Sequence, residues 1–97
     1  MQAQILPLIK PWSAGAQHQV TVDISGAPAG KILTVSLFLS TPKPDHALGN
    51  AQAVVTGTGT AAATFSVTLS TLGVNVLHCE VTHPTDFDSD SAGTVVT

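Results

Sequence analysis

The chain has no arginine and no tyrosine, a single cysteine, one tryptophan and three lysines in 97 residues. Each scarcity excludes something. Cys79 stands alone, so no intrachain disulfide forms. A domain this small then holds by core packing, or by docking on something larger. With three lysines and a net charge of −3, the chain does not match a phosphate backbone, and a nucleic-acid partner is not expected. No apolar run approaches the roughly 18 residues of a membrane span. The N-terminus lacks a secretory signal pattern: its only early charge, Lys10, follows the apolar stretch, and Pro7 and Pro11 interrupt that stretch. The expectation is a chain that starts at residue 1 and is made in the cytoplasm without export; the alternative is a mature form whose signal is already removed.

Charged residues make up 9 %, against the usual share of about 25 %. Threonine, serine, glutamine and asparagine supply the polarity instead. A hydrophobic content of 43 % argues for a packed core and against disorder. The length fits one domain, residues 1–97, because halves would approach the roughly 40 residues below which a core needs staples.

The dominant pattern is alternation with period 2, the mark of half-buried strands. Residues 17–25 place Val20, Val22 and Ile24 on one face and Thr21 and Asp23 on the other. Residues 31–40 place Leu33, Val35, Leu37 and Leu39 inward; Thr34 and Ser36 share the second face with Ile32 and Phe38, which suggests partial cover there. Residues 61–70 turn Ala63, Phe65, Val67 and Leu69 inward, and residues 74–83 offer Leu77, Cys79 and Val81. Three further strands carry weaker patterns: 3–10, interrupted by Pro7, then 51–57 and 92–97. Segments 41–50 and 84–90 read as connections, and Gly57-Thr58-Gly59-Thr60 as a turn. No window carries a helical stripe. About seven short strands in this length predict an all-β, seven-stranded antiparallel Greek-key sandwich without a disulfide. Its dry interior is expected to hold Val20, Val22, Val35, Leu37, Phe65, Val67 and Cys79.

The stretch Phe65-Ser66-Val67-Thr68-Leu69, followed by Leu72-Gly73-Val74-Asn75-Val76-Leu77-His78-Cys79-Glu80-Val81, resembles the E strand, E–F corner and F strand of immunoglobulin-like and fibronectin-III-like domains. Leu77 stands where a corner tyrosine would be, Val22 where the partner cysteine would be, and the only tryptophan, Trp12, is not on the third strand. Disulfide-free immunoglobulin-like modules of bacterial and phage structural proteins fit that pattern better than antibody domains. Short domains rich in Thr, Ala, Val and Gly also resemble the small decoration proteins of tailed-phage heads. This likeness implies a structural protein of the virion, made in the host cytoplasm, that contacts capsid or tail proteins.

Few residues suggest chemistry. Asp86, Asp88 and Asp90 alternate as in the first half of a calcium loop, but Ser91 occupies the turn-glycine place and Thr97 the place of the closing glutamate. A solvated acidic hairpin tip is the simpler reading, so no metal and no cofactor is expected. His78, Cys79 and His83 match no zinc spacing, since neighbours on a strand face opposite ways. Asp45-His46 lacks a nucleophile elbow, and no enzyme activity is expected unless the fold forms a buried His–carboxylate pair. Trp12 reads as a plug over the end of the sandwich or as an anchor on a partner. Phe87, at the F–G tip of the resemblance, is the second candidate binding residue. The segment around Gly59 suggests an open edge for strand addition. The composition therefore points to a non-catalytic module that docks on a larger assembly. The alternative is a carbohydrate- or host-surface-binding module of adhesin type, and a homo-oligomer is open in either case.

Overall fold

A computed structural model describes the whole chain, residues 1–97. It contains seven strands: β1 (Gln2–Ile5), β2 (Gln17–Ser25), β3 (Ile32–Thr41), β4 (His46–Val54), β5 (Ala61–Thr68), β6 (Gly73–His83) and β7 (Asp86–Val96). All pair antiparallel, in a three-stranded sheet of order β1-β2-β5 and a four-stranded sheet of order β4-β3-β6-β7. Hairpins join β1 to β2, β3 to β4 and β6 to β7; the connections after β2, β4 and β5 cross between sheets. No helix is long and apolar enough to cross a membrane.

The alternation places the core. Val20, Val22, Val35, Leu37, Phe65, Val67 and Cys79 are all buried, within a cluster that also takes in Leu33, Leu77 and Val81. β4 approaches the three-stranded sheet closely at Gly49. A Cβ there would lie 3.2 Å from Phe65 Cδ2, so Gly49 leaves the room the ring occupies.

Three strands differ from the sequence reading. β1 ends at Ile5, because Pro7 lacks the N–H a continuing ladder needs. β4 begins at His46, inside the segment read as a connection; pairing with β3 outweighs the poor strand propensity of its Gly49 and Asn50. A register shift after Leu37 leaves Leu48 as a bulge. β7 begins at Asp86, so the supposed acidic hairpin tip is the first half of an eleven-residue strand. Only Thr85 and Pro84 remain between β6 and β7.

Two buried groups brace the ends. Trp12 is 0 % exposed, its Nε1 donates to the Ala16 carbonyl at 2.9 Å, and His18 meets its ring edge-on at 4.8 Å. Its backbone bridges Val96 in parallel, with Trp12 N–H donating to Val95 O and Thr97 N–H to Trp12 O, each at 2.9 Å. At the β5–β6 corner the buried Asn75 amide donates to Thr71 O at 2.9 Å and Gly73 O at 3.1 Å. Those two acceptors fix which end of the amide is nitrogen. The place read for a corner tyrosine holds Leu77, which is fully buried, and Asn75 ties the corner instead.

Trp12→Ala should lower the unfolding free energy by about 3–5 kcal/mol in urea titration, the cost of emptying a large aromatic site. A loss under about 1 kcal/mol, the scale of an ordinary surface change, would contradict the plug role.

Candidate functional site

Asp86, Asp88 and Asp90 form the densest cluster of acidic residues in the sequence, and all three lie on β7. On an extended strand Asp86, Asp88 and Asp90 share one side, the side turned toward β1. Asp88 Oδ2 accepts the N–H of Ala3 at 2.6 Å, and Asp90 Oδ2 accepts the N–H of Ile5 at 2.8 Å. Asp86 Oδ2 lies 3.2 Å from the Met1 ammonium. The two-residue spacing of the carboxylates thus matches the two-residue spacing of the β1 amides that face away from β2. No group of three His, Cys, Asp or Glu side chains is placed to hold a metal ion. These three carboxylates are parts of an edge seal between the two sheets. The Phe87 N–H and the nearby ammonium hold the Asp86 carboxyl below its ordinary range.

The two outer faces of the sandwich differ in character. The three-stranded face carries Gln4, Gln19, Thr21, Asp23, Thr64 and Ser66, among others, with cross-strand contacts Thr21–Thr64 at 3.1 Å and Gln19–Ser66 at 3.2 Å. A shallow groove of about 500 Å³ at one end of it is lined by Gln2, Gln4, Asp23, Ser25, Thr56 and Thr60 together with Ile24, Ala61 and Ala62. The four-stranded face is different. Of the exposed large hydrophobic residues, Ile32, Val54, Val74, Phe87 and Val95 all lie on it. Ile32 pairs with Val54, and Val74 with Val95, so the apolar groups come in cross-strand pairs at its two ends. The partial cover expected over Ile32 is absent: it is 55 % exposed. Phe38 is half-buried beside His78, ring centroids 6.5 Å apart.

Between those ends the strand residues are mostly polar, with Glu80 the one charged strand side chain and Asp45 at the margin. Ser36 donates to Asn50 at 2.7 Å. A groove of about 400 Å³ is lined by Phe38, Asp45, His46, Ala47, His78 and Glu80. Here the register creates a contact invisible in the sequence. His78 faces Ser91 across β6 and β7, with Nδ1 2.9 Å from Ser91 Oγ, while Glu80 Oε2 lies 3.7 Å from His78 Nε2. A Ser–His–Glu chain results. The His78 and Glu80 side chains are 31 % and 41 % exposed, so water screens the pair, and 3.7 Å is too long for an orienting hydrogen bond. No buried His–carboxylate pair is formed.

Trp12 is enclosed in the core and presents no surface, whereas Phe87 is 54 % exposed at the start of β7. Cys79 is buried on the face opposite His78, and His83 contacts Thr85 at 3.2 Å. Burial pushes the Cys79 thiol above its ordinary value; a backbone hydrogen bond from Asp90 opposes it, and the Asp90 and Asp88 charges add to the upward shift. No family model and no curated protein matches this chain.

Removing the Asp88 acceptor should expose what the seal is worth. Asp88→Ala leaves the Ala3 N–H unpaired and should cost about 1–3 kcal/mol, while Asp88→Asn keeps an acceptor oxygen and should cost less. Equal losses in the two variants would contradict a hydrogen-bond role.

The folded Asp86 carboxyl sits below its unfolded value of about 3.9, so its contribution is complete above that pH and is lost as pH falls through the folded value. Urea midpoints of the wild type should drop on acidification below about pH 4, and Asp86→Asn should flatten that drop. An identical acid limb in the variant would contradict the assignment.

Proposed function

We propose that this chain is a non-catalytic docking module of immunoglobulin-like type, attached to a larger protein assembly through the outer face of the β4-β3-β6-β7 sheet. The assembly is a phage particle, its capsid or its tail, and the protein resides in the virion.

The contrast between the two outer faces carries the reading. One is mainly polar, with Ala62 on its outer row. The other gathers the exposed apolar pairs around a largely hydroxyl and amide centre, where Glu80 is the one charged strand side chain and Asp45 stands at the margin. Contact surfaces are depleted in charge at their centres, because an ion buried without a partner costs more than the contact returns. A face of this make-up loses little on desolvation. Docking would then stabilise both partners by mass action, with no chemical step. The immunoglobulin-like description is supported by the three hairpins, the three crossings between sheets and the braced β5–β6 corner. The phage setting rests on the likeness in size, charge and composition to head decoration proteins.

The non-catalytic part of the proposal is supported by the geometry around Ser91. Its imidazole neighbour is 31 % exposed, the acid is out of hydrogen-bond reach, and the flanking strand amides lie in a ladder rather than in an oxyanion pocket. A carbohydrate-binding reading would use the groove beside Phe38, where one half-buried ring is the whole aromatic platform.

Phe87→Lys with Val95→Lys places charge at both ends of the face without touching the core. Particles released from cells expressing the wild-type chain should carry it in immunogold electron microscopy. The double variant should stay in the soluble fraction with its melting temperature nearly unchanged. Wild-type chain absent from particles, or equal labelling by the variant, would overturn the proposal. A glycan array should show no binding, and a fluorophosphonate probe should leave Ser91 unlabelled.

A further inference from the structure

The two long edges of the sandwich are treated very differently. On the β1/β7 side, the Asp88 and Asp90 carboxylates take up the outward amides of β1, and the Trp12–Ala14 segment runs beside the end of β7. On the β4/β5 side there is no such device. None of the three lysines and six acidic residues lies on β4 or β5. β4 carries the bulge at Leu48, which blunts an edge, but β5 pairs with β2 in unbroken register and holds no proline, glycine or charge.

The free groups of β5 can be assigned. Ala3 and Ile5 direct their N–H groups away from β2, so their partners Ile24 and Val22 face β5. Strict alternation then gives Ala61, Ala63, Phe65 and Val67 to the β2 ladder. The N–H and C=O groups of Ala62, Thr64, Ser66 and Thr68 point outward, and no backbone bond outside the ladders involves them.

We infer that β5 is a homodimerisation edge, at which a second copy of this chain adds its own β5 antiparallel about a two-fold axis through Phe65. In that register Thr64 stands opposite Ser66 of the second copy, and Ala62 opposite Thr68. These are the residues whose outward groups are free, so each such pair exchanges two backbone hydrogen bonds. Their side chains extend the hydroxyl rows already formed by Thr21–Thr64 and Gln19–Ser66. Phe65 meets Phe65 on the inner side, the side on which non-bonded cross-strand pairs come closest. The approach brings no charged strand residue against another. The pairing is isologous and closes after two copies, which gives a dimer and not a fibre.

Sedimentation equilibrium of the full chain over micromolar to millimolar concentrations tests this. The wild type should rise from the 9.9 kDa monomer to twice that mass. Thr64→Lys with Ser66→Lys should remain monomeric, as should Thr64→Glu with Ser66→Glu. Mixing the two variants should restore the dimer, because lysine then faces glutamate in both rows. Thr64→Pro removes an outward N–H and no ladder bond, so it should also give a folded monomer by circular dichroism. A monomeric wild type at every concentration would overturn the inference. So would a dimer that survives in all three variants. The β5 edge lies apart from the proposed docking face, so particle labelling and dimer mass report on the two readings separately.

Discussion

A sandwich without disulfides must close its own sides, and here one side is closed by carboxylates. Asp86, Asp88 and Asp90 stand on alternate residues of β7; Asp88 and Asp90 meet the amides of Ala3 and Ile5 on β1, and Asp86 meets the Met1 ammonium just before it. The match works because both segments are extended, so their periods coincide. It joins the two sheets along an edge that has no ladder between them. It also uses charge where an apolar side chain would leave the β1 amides unpaired and the β1 edge open to other chains. The four-residue β1 makes only a short ladder with β2, and the seal adds contacts on its other edge.

Closing one side leaves the rest of the exterior to be sorted by chemistry. The core takes the inward row of every strand. What remains is a polar three-stranded face, a four-stranded face with paired apolar groups at its ends, and the uncharged β4/β5 side. A chain with nine per cent charged residues has little repulsion to keep surfaces apart. The proposal of a docking module follows from the second of these surfaces, and that of a dimer from the third. The buried Trp12 belongs to neither, since its indole fills the end of the core and its backbone straps β7.

Much of this was legible in the sequence, for a physical reason. Period-2 alternation of Val, Ile, Leu and Phe survives any tertiary detail, so the inward residues of β2, β3, β5 and β6 could be named. Asp86-Phe87-Asp88-Ser89-Asp90 could not be read as strand, because aspartate and serine favour turns in isolation, and only the amides of a segment 85 residues away give them a strand role. The same loss of register hid His78 opposite Ser91, and Asn75 at the corner. The start of β4 was missed likewise, since Gly49 is there to admit Phe65 and not to end a strand.

β1 is held to the second sheet by side-chain acceptors on its outward amides. Amide hydrogen exchange followed residue by residue by NMR addresses it directly. Ala3 and Ile5 belong to no ladder on that edge, yet the account predicts protection for them comparable to the ladder amides of Gln2 and Gln4. Exchange of Ala3 and Ile5 at the rate of exposed loop amides, with Gln2 and Gln4 still protected, would contradict it.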